Sequence, residues 1–492
     1  MENDMTARKK KPFIKTLSFV LFIIIAVPVL LLIFFAFSSR KMADLEIWHT
    51  TRLINEFTMD SYREGYTFED YLKQEDLLFE ELTDRIYDHV PATPLNRLNR
   101  FNRESICFPG NYSRDWNRSF ELIPANIKGG VLLIHGLSDA PYSMKHVAEF
   151  FYSKGFYTLG LRVPGHGTIP AQLNYVTRHD WITAATIAAR QVRKMAGRDM
   201  PFYLCGYSNG APISLGYTLD ALDDPALPVP DKIFLFSPSI GVTKLAVLSR
   251  WLSRLSFIPY FQKSNWKDIL PEYNPFKYSS FTMKASHESH LLTTEIQQRI
   301  DTLMKNNRSS ELPPIVTFQS IVDATTKIND LIFQLYYKLS PKNNELVIFS
   351  VNENAGLEIF INQGYRNVLN TLMKPEKTPF NITIVTNKSP DSLETTAKQK
   401  PENDTVFTDK DLNASWPRGI YSLSHIALLF PPDDPLYGYD PPVSLKPVLH
   451  LGNLEIRGEV HVLTVSIPQL MRIKSNPFFD FMMKKIREHT EL

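Results

Sequence analysis

The sequence predicts a doubly wound, mostly parallel α/β sheet with an inserted helical cap and an apolar helix near its N-terminus. Three observations carry this expectation. Short apolar runs alternate with helical patterns from about residue 105, the rhythm breaks over residues 241–312, and Leu17 to Phe37 contains no charged residue.

The runs GGVLLIHGL (129–137), GFYTLGLRV (155–163), PFYLCGYS (201–208), DKIFLFSPS (231–239), PPIVTFQSIVD (313–323) and NELVIFSVN (344–352) are apolar on both faces. Strands buried on both faces of a parallel sheet read this way. Crossover helices are expected between them, for example Asp180 to Lys194 and Asn209 to Leu222. Connections in such sheets are commonly 2 to 6 residues, so residues 241–312 are read as an inserted cap. Within it, Leu245, Leu248, Leu252 and Leu255 fall on one helical face, with Lys244, Arg250 and Arg254 around the other. Residues 353–420 add one strand, NITIVTN (381–387), then a polar stretch expected to run over the surface.

Before the sheet, residues 38–104 read as a helical lead-in, with Phe68, Tyr71, Leu72, Leu77, Phe79 and Leu82 coating one side. Residues 17–37 as a helix would reach roughly 31 Å, enough to span a bilayer. A retained transmembrane anchor is the reading; a cleaved signal ending near Ala36-Phe37-Ser38 is the alternative. The basic residues Arg8, Lys9, Lys10, Lys11 and Lys15 in the 1–16 tail outnumber Arg40 and Lys41 beyond the span. The tail is therefore expected in the cytoplasm and the rest exported. The expected divisions are thus 1–16, 17–37, 38–104, a first core part 105–240, the cap 241–312 and a second core part 313–492.

Composition is that of an ordinary globular chain, 43% hydrophobic and 22% charged, and of the net charge of +2 the 1–16 tail contributes +3, which leaves the rest near −1. No nucleic-acid footprint follows from it. Cys107 and Cys205 are too few for a disulfide framework, and Cys205 sits in an apolar run as a small hydrophobe. Asn-x-Ser/Thr matches such as Asn111 and Asn117 matter only in a host that glycosylates exported chains.

Gly206-Tyr207-Ser208-Asn209-Gly210 matches G-x-S-x-G, and it joins an apolar strand to a helical run. That context is what a nucleophile elbow needs, with glycines letting the backbone turn sharply under an exposed hydroxyl. A structural tight turn is the alternative. Serine needs a base and preset donors for the developing oxyanion. Leu137, after the strand ending His135-Gly136, and Asn209, at the helix start, are expected to supply those N–H groups. His135 itself is expected to be structural. Chain order in this arrangement requires a histidine after both nucleophile and acid. His425, on a loop past the strands, is preferred over His450, His461 and His489. Asp323 ends a strand at the edge where Ser208 emerges and is the expected acid, against Asp330, Asp433 and a plain capping role toward Thr325. His287 and His290 form H-E-S-H without a third ligand or helical i, i+4 spacing, so no metal site is expected there.

The set HGLSDAPYS (135–143), RVPGHGT (162–168), GYSNG (206–210), Asp323 and His425 resembles the α/β-hydrolase branch of monoacylglycerol lipases, lysophospholipases, carboxylesterases and serine aminopeptidase-like hydrolases. The resemblance covers roughly residues 120–325 and the histidine segment. It implies an α/β-hydrolase fold and hydrolysis of esters or thioesters through an acyl-enzyme without metal or organic cofactor, with His135, Gly165 and His166 as scaffold. The stretch from Asp323 to His425 is longer than is usual in that branch. SLSHIALLFPPDDPLYG (422–438) is similar to uncharacterised bacterial members, which implies an inner-membrane enzyme with its site in the periplasm. The expected partners are the bilayer and a small acyl-ester or lipid substrate. Two other functions stay open: a proline-iminopeptidase-type aminopeptidase holding a substrate ammonium with Glu272, Glu288 or Glu295, and a non-catalytic, membrane-tethered binding protein.

Overall fold

The computed structural model describes residues 42–241, 259–323, 325–326, 328–355, 363–418, 420, 422–443, 448–452 and 474–490, with five isolated positions between 19 and 30. The 17–37 span falls almost wholly outside these residues, as does the Leu245 to Leu255 stripe. Among the described residues no helix is long and apolar enough to cross a membrane.

The strands in chain order are β1 (Phe120–Leu122), β2 (Gly129–Ile134), β3 (Phe156–Leu161), β4 (Phe202–Tyr207), β5 (Lys232–Phe236) and β6 (Trp266–Asp268). They continue with β7 (Phe281–Thr282), β8 (Ile315–Ser320), β9 (Glu345–Phe349), β10 (Asn381–Asn387), β11 (Glu394–Lys400) and β12 (Thr408–Ser415). Ten of them form one sheet in the order β1-β3-β2-β4-β5-β8-β9-β10-β11-β12, while β6 and β7 form a small separate hairpin. From β3 to β10 every pairing is parallel. The order reverses at β2, which lies between β3 and β4, and such a switch point is where open α/β sheets leave a crevice at the strands' carboxyl ends. This is the α/β-hydrolase arrangement, and all seven apolar runs of the sequence are strands in it.

Helices cover both faces. They are α1 (Ile47–Thr50), α2 (Phe68–Arg85), α3 (Lys145–Ser153), α4 (Arg178–Ala196), α5 (Gly210–Asp223), α6 (Met283–Lys305), α7 (Ile328–Gln334), α8 (Gln363–Leu372) and α9 (Phe479–Thr490). Strand residues alternate between two cores: Leu132 and Ile134 pack with α4, α5 and α6, while Val131 and Leu133 pack with α3 and α9. Both faces being buried explains why the strands read as continuous apolar runs.

Three expectations need correction. Part of the 241–312 cap is core: on α6, Ala285, Leu292, Ile296, Ile300 and Leu303 are buried in the main cluster, so this helix is the crossover from β5 to β8. The polar stretch after 387 is not a surface excursion but two antiparallel strands, β11 and β12, that extend the sheet. Edge strand β12 is rich in Lys, Asp and Asn and largely exposed, which is how an edge avoids pairing with other chains and why its pattern resembles a loop. On α2 the inward residue is Leu78, whereas Leu77 is 52% exposed.

The lead-in is part of the folded body. Helix α2 starts with a reciprocal cap, Thr67 Oγ1 accepting from Asp70 N at 3.2 Å and Asp70 Oδ2 accepting from Thr67 N at 3.0 Å. Its Glu75 reaches Arg162 Nε at 2.8 Å, and Glu56 takes the same guanidinium's Nη2 at 3.0 Å. All three side chains are buried. Tyr71 Oη donates to the Arg162 carbonyl at 2.7 Å, so the lead-in grips the end of β3 through backbone and side chain.

Candidate active site

Strand β4 ends at Tyr207, and the chain turns at Ser208 with φ +51° before α5 begins at Gly210. A non-glycine residue in this region is strained by roughly 1–3 kcal/mol and is held there by its surroundings. The flanking glycines make the turn possible. A Cβ on Gly206 would lie 2.6 Å from the Gly210 carbonyl oxygen, and one on Gly210 would lie 2.1 Å from that of Ile134. Ser208 N donates to Phe236 O at 2.9 Å, fixing the elbow to β5.

His425 Nε2 lies 3.0 Å from Ser208 Oγ, and its Nδ1 lies 2.7 Å from Asp323 Oδ2. Asp323 has no exposed side-chain surface, and His425 keeps 14%. Burial alone would raise the Asp323 carboxyl, but the facing His425 and the N–H groups of Thr325 and Thr326 hold it below the ordinary value. The capping alternative for Asp323 is present on its other oxygen: Oδ1 accepts from Thr325 N at 2.8 Å and Thr326 N at 3.1 Å. One carboxylate thus closes its own turn and faces the imidazole.

Leu137 follows β2 and Asn209 follows Ser208; among the described residues neither backbone N–H has a hydrogen-bond partner. Asn209 is steadied through its side chain, whose Oδ1 accepts from Ser289 Oγ at 2.6 Å. His135 is buried, accepts from Val163 N at Nε2 (3.0 Å), and so carries its proton on Nδ1 toward Gly136 O (2.8 Å). Burial and the neighbouring His166 hold it well below the usual imidazole value, which makes it a neutral strut. His166 is held at about 4 by burial.

The other sequence candidates lie apart. His450 Nδ1 donates to Pro435 O at 3.1 Å, His489 pairs with Glu345, and His461 lies outside the described residues. Asp330 is on α7, and Asp433 is exposed. Glu272 accepts from Ser279 N and Ser280 N, while Glu288 and Glu295 both engage Arg178. Among the described residues no group of three or more His, Cys, Asp or Glu could hold a metal ion.

Some residues that build the site carry no sequence signal. The loop bearing His425 is pinned by Ser237 Oγ to the His425 carbonyl (3.2 Å) and by Ser320 Oγ to that of Leu423 (3.1 Å). Downstream, buried Asp434 accepts from Tyr142 Oη at 2.9 Å and His146 Nε2 at 2.8 Å, and from the N–H groups of Leu436 and Tyr437. A lone serine after a strand or the second Asp of a Pro-Pro-Asp-Asp run says nothing of these contacts until the sheet is assembled.

Residues 125–334 match the family described as serine aminopeptidase, S33. A thermostable monoacylglycerol lipase of a Bacillus species is 32% identical over 129 residues, which are 26% of this chain and 50% of that relative. The match therefore spans half of the relative's length. Among solved structures, a monoacylglycerol lipase of Paleococcus ferrophilus aligns with a TM-score of 0.36 at 15% identity, covering 52% of this chain and 97% of that one. A soluble variant of monoglyceride lipase from Saccharomyces cerevisiae gives 0.37 at 12% identity, with 52% and 88% covered. At such TM-scores these likenesses are partial, and the strand order and the turn at Ser208 define the fold.

Proposed function

We propose that the protein is a serine hydrolase that cleaves lipophilic carboxylic esters through an acyl-enzyme, with Ser208 as nucleophile, His425 as general base and Asp323 as the acid that orients it. The observation that carries this reading is the unbroken line of contacts from Ser208 Oγ through both nitrogens of His425 to the buried Asp323 carboxylate.

The chemistry follows from those contacts. Asp323 accepts the Nδ1–H of His425, which leaves the Nε2 lone pair facing Ser208 Oγ. As Oγ bonds to the ester carbonyl carbon, its proton passes to Nε2 and the carbonyl oxygen becomes an oxyanion. The N–H groups of Leu137 and Asn209 are the donors for it, the second at a helix start where partial positive charge accumulates. The imidazolium then returns the proton to the leaving alcohol, and water repeats the sequence to release the acid. Serine, histidine and backbone donors suffice for each step.

Ester rather than aminoacyl amide hydrolysis is favoured because the acidic residues that would hold a substrate ammonium are engaged elsewhere, Glu272 by the N–H groups of Ser279 and Ser280, and Glu288 and Glu295 by the one guanidinium of Arg178. The similarity to a monoacylglycerol lipase points the same way. The proposed setting is a single-pass anchor over residues 17–37, with a cytoplasmic N-terminus and an exported catalytic domain, supported by the uncharged span and the basic tail before it. An alkaline phosphatase fusion after residue 60 tests that topology, and should be active in a bacterial host.

A fluorophosphonate probe tests the chemistry. It should label the chain once, at Ser208, and Ser208→Ala should lose both labelling and turnover. Against p-nitrophenyl esters, kcat/KM should rise by up to about fourfold per methylene from acetate toward octanoate if apolar chain is buried. Undiminished hydrolysis by the alanine variant would discard the mechanism, and a preference for aminoacyl amides would bring the peptidase forward.

A further inference from the structure

The N-terminal part of the folded chain docks beside the candidate site, on the side of the sheet where the strands end. Helix α1 packs on the turn Pro170–Asn174 beyond β3: Trp48 shares a buried cluster with Ile169 and Ala171, and Gln172 Oε1 accepts from Leu53 N at 3.0 Å. His49 reaches across to the β6–β7 hairpin, with Nε2 3.0 Å from Ser280 Oγ and its ring edge-on to Trp266 at 4.8 Å. That hairpin meets the site wall, because Tyr278 N donates to the carbonyl of Ser138, next to Leu137, at 2.7 Å. Helix α1, the 170–174 turn and the hairpin therefore make one ledge at the mouth of the Ser208 crevice.

The ledge is tied close to the apolar span. Lys263 Nζ holds the Met42 carbonyl at 3.2 Å and the Asp44 carboxylate at 2.9 Å, so the chain is already fixed at residue 42. The uncharged run ends at Phe37. The five chain steps from Phe37 to Met42 can span at most about 18 Å even when fully extended. Two of the four residues between are Arg40 and Lys41. The ledge itself presents apolar tips to solvent, Ile54 at 76% exposure and Leu270 at 48%, with Tyr175 lying under the Arg52 guanidinium at 4.8 Å and Lys267 exposed nearby. Single exposed apolar residues are ordinary on any surface. Charges of both signs surround them, with Asp44, Glu46 and Asp268 exposed as well as Arg52 and Lys267, and the face cannot move far from the end of the proposed membrane span; that closeness is what a lipid interface fits.

We infer that this ledge rests on the surface of a phospholipid bilayer, so that Ser208 takes its ester from the leaflet rather than from solution. The inference rests on the anchored-hydrolase reading above and specifies the side from which that site is reached. A short leash lets the proposed anchor orient a whole domain: Leu270 and Ile54 reach the acyl boundary, and an amphiphilic substrate needs only to slide upward. The opposite end of the sheet, where Met200 precedes β4, would then face water.

The test uses the full-length chain reconstituted in vesicles of phosphatidylcholine and phosphatidylglycerol. Both native cysteines are buried, so a single introduced cysteine can be labelled selectively. A fluorophore on Leu270→Cys should lose about half its intensity when the vesicles carry a headgroup nitroxide, as expected for insertion of a few ångströms, whereas the same label on Met200→Cys should not. In parallel, Ile54→Asp with Leu270→Asp should lower turnover of a long-chain ester carried in the vesicles about tenfold and leave p-nitrophenyl acetate unchanged. Flotation of the protein with the vesicles but equal quenching at both positions overturns the docking alone. Failure to float overturns the anchor and the docking with it. Loss of all ester turnover in the wild type refutes the hydrolase reading, and the quenching comparison still decides the orientation.

Discussion

His425 Nδ1 meets Asp323 Oδ2 at 2.7 Å across 102 positions of sequence, and that contact fixes which imidazole nitrogen faces Ser208. Replacing Asp323 by Asn keeps the shape but offers an amide in place of the acceptor, so the imidazole proton is driven to the wrong nitrogen. The turnover of p-nitrophenyl butyrate by Asp323→Asn should fall about ten-thousand-fold, with circular dichroism unchanged. His425→Ala should fall at least as far, and His450→Ala, whose ring faces a carbonyl elsewhere, should stay near the wild type. Wild-type rates in Asp323→Asn would remove Asp323 from the mechanism.

The turn under Ser208 leaves no space at Gly210, where a Cβ would sit 2.1 Å from the Ile134 carbonyl and 2.7 Å from that of His135. Both obstacles are backbone in a central strand and its exit, so neither can swing aside. Gly210→Ala should destabilise the fold by about 3 kcal/mol in urea titration. Gly65 is the control: its φ is +80°, but nothing lies within 4 Å of the place a Cβ would take there. Gly65→Ala should therefore lose only about 1 kcal/mol, from backbone strain alone. Equal losses at the two sites would mean that crowding is not what the elbow glycine relieves.

How much of the fold and site is legible in the sequence depends on whether local pattern or distant packing decides the outcome. The strands β2, β4, β5 and β8 are readable because burial on both faces leaves an apolar run whatever surrounds it. Ser208, His425 and Asp323 can be named because turn chemistry and chain order restrict the choices. Helix α6 falls inside the expected cap because a long gap reads as an insertion, and only its packing beside α5 shows it to be a crossover. Leu77 and Leu78 are adjacent leucines on α2, so which one faces inward depends on where the helix settles. Asp434, Ser237 and Ser320 act through partners more than a hundred positions away, and no local pattern marks them.

The C-terminal helix should make stability depend on acid pH. Glu345 on β9 is buried against Lys485 at 2.8 Å and His489 on α9, and its Oε1 also accepts from Thr383 Oγ1 at 2.5 Å. Burial works to raise its carboxyl, but the His489 hydrogen bond and the Lys485 charge prevail and hold it at about 2. A depressed carboxyl contributes stability above the ordinary value of about 4.5, and loses it as pH falls toward 2. The full effect is on the order of 3 kcal/mol. Thermal unfolding followed from pH 6 to pH 3 should show that decline, and Glu345→Gln should start lower and decline less. Parallel pH profiles for the two proteins would show that other groups carry the acid sensitivity.

Arg162 gives the sharpest test of whether the lead-in belongs to the same folded body as the sheet. Its guanidinium is buried between Glu56 and Glu75, and its Nη1 also donates to the carbonyl of His166 at 3.1 Å, in the loop after β3. A buried charge left without its partner is far worse than a neutral core of the same shape. Arg162→Met alone strands two carboxylates and should destabilise by about 3–5 kcal/mol. Adding Glu56→Gln and Glu75→Gln removes those charges and should recover most of the loss, although the His166 carbonyl remains without its donor. Urea unfolding of the single and triple variants measures both steps. If Arg162→Met were as stable as the wild type, the buried ions would have no part in holding the lead-in to the sheet.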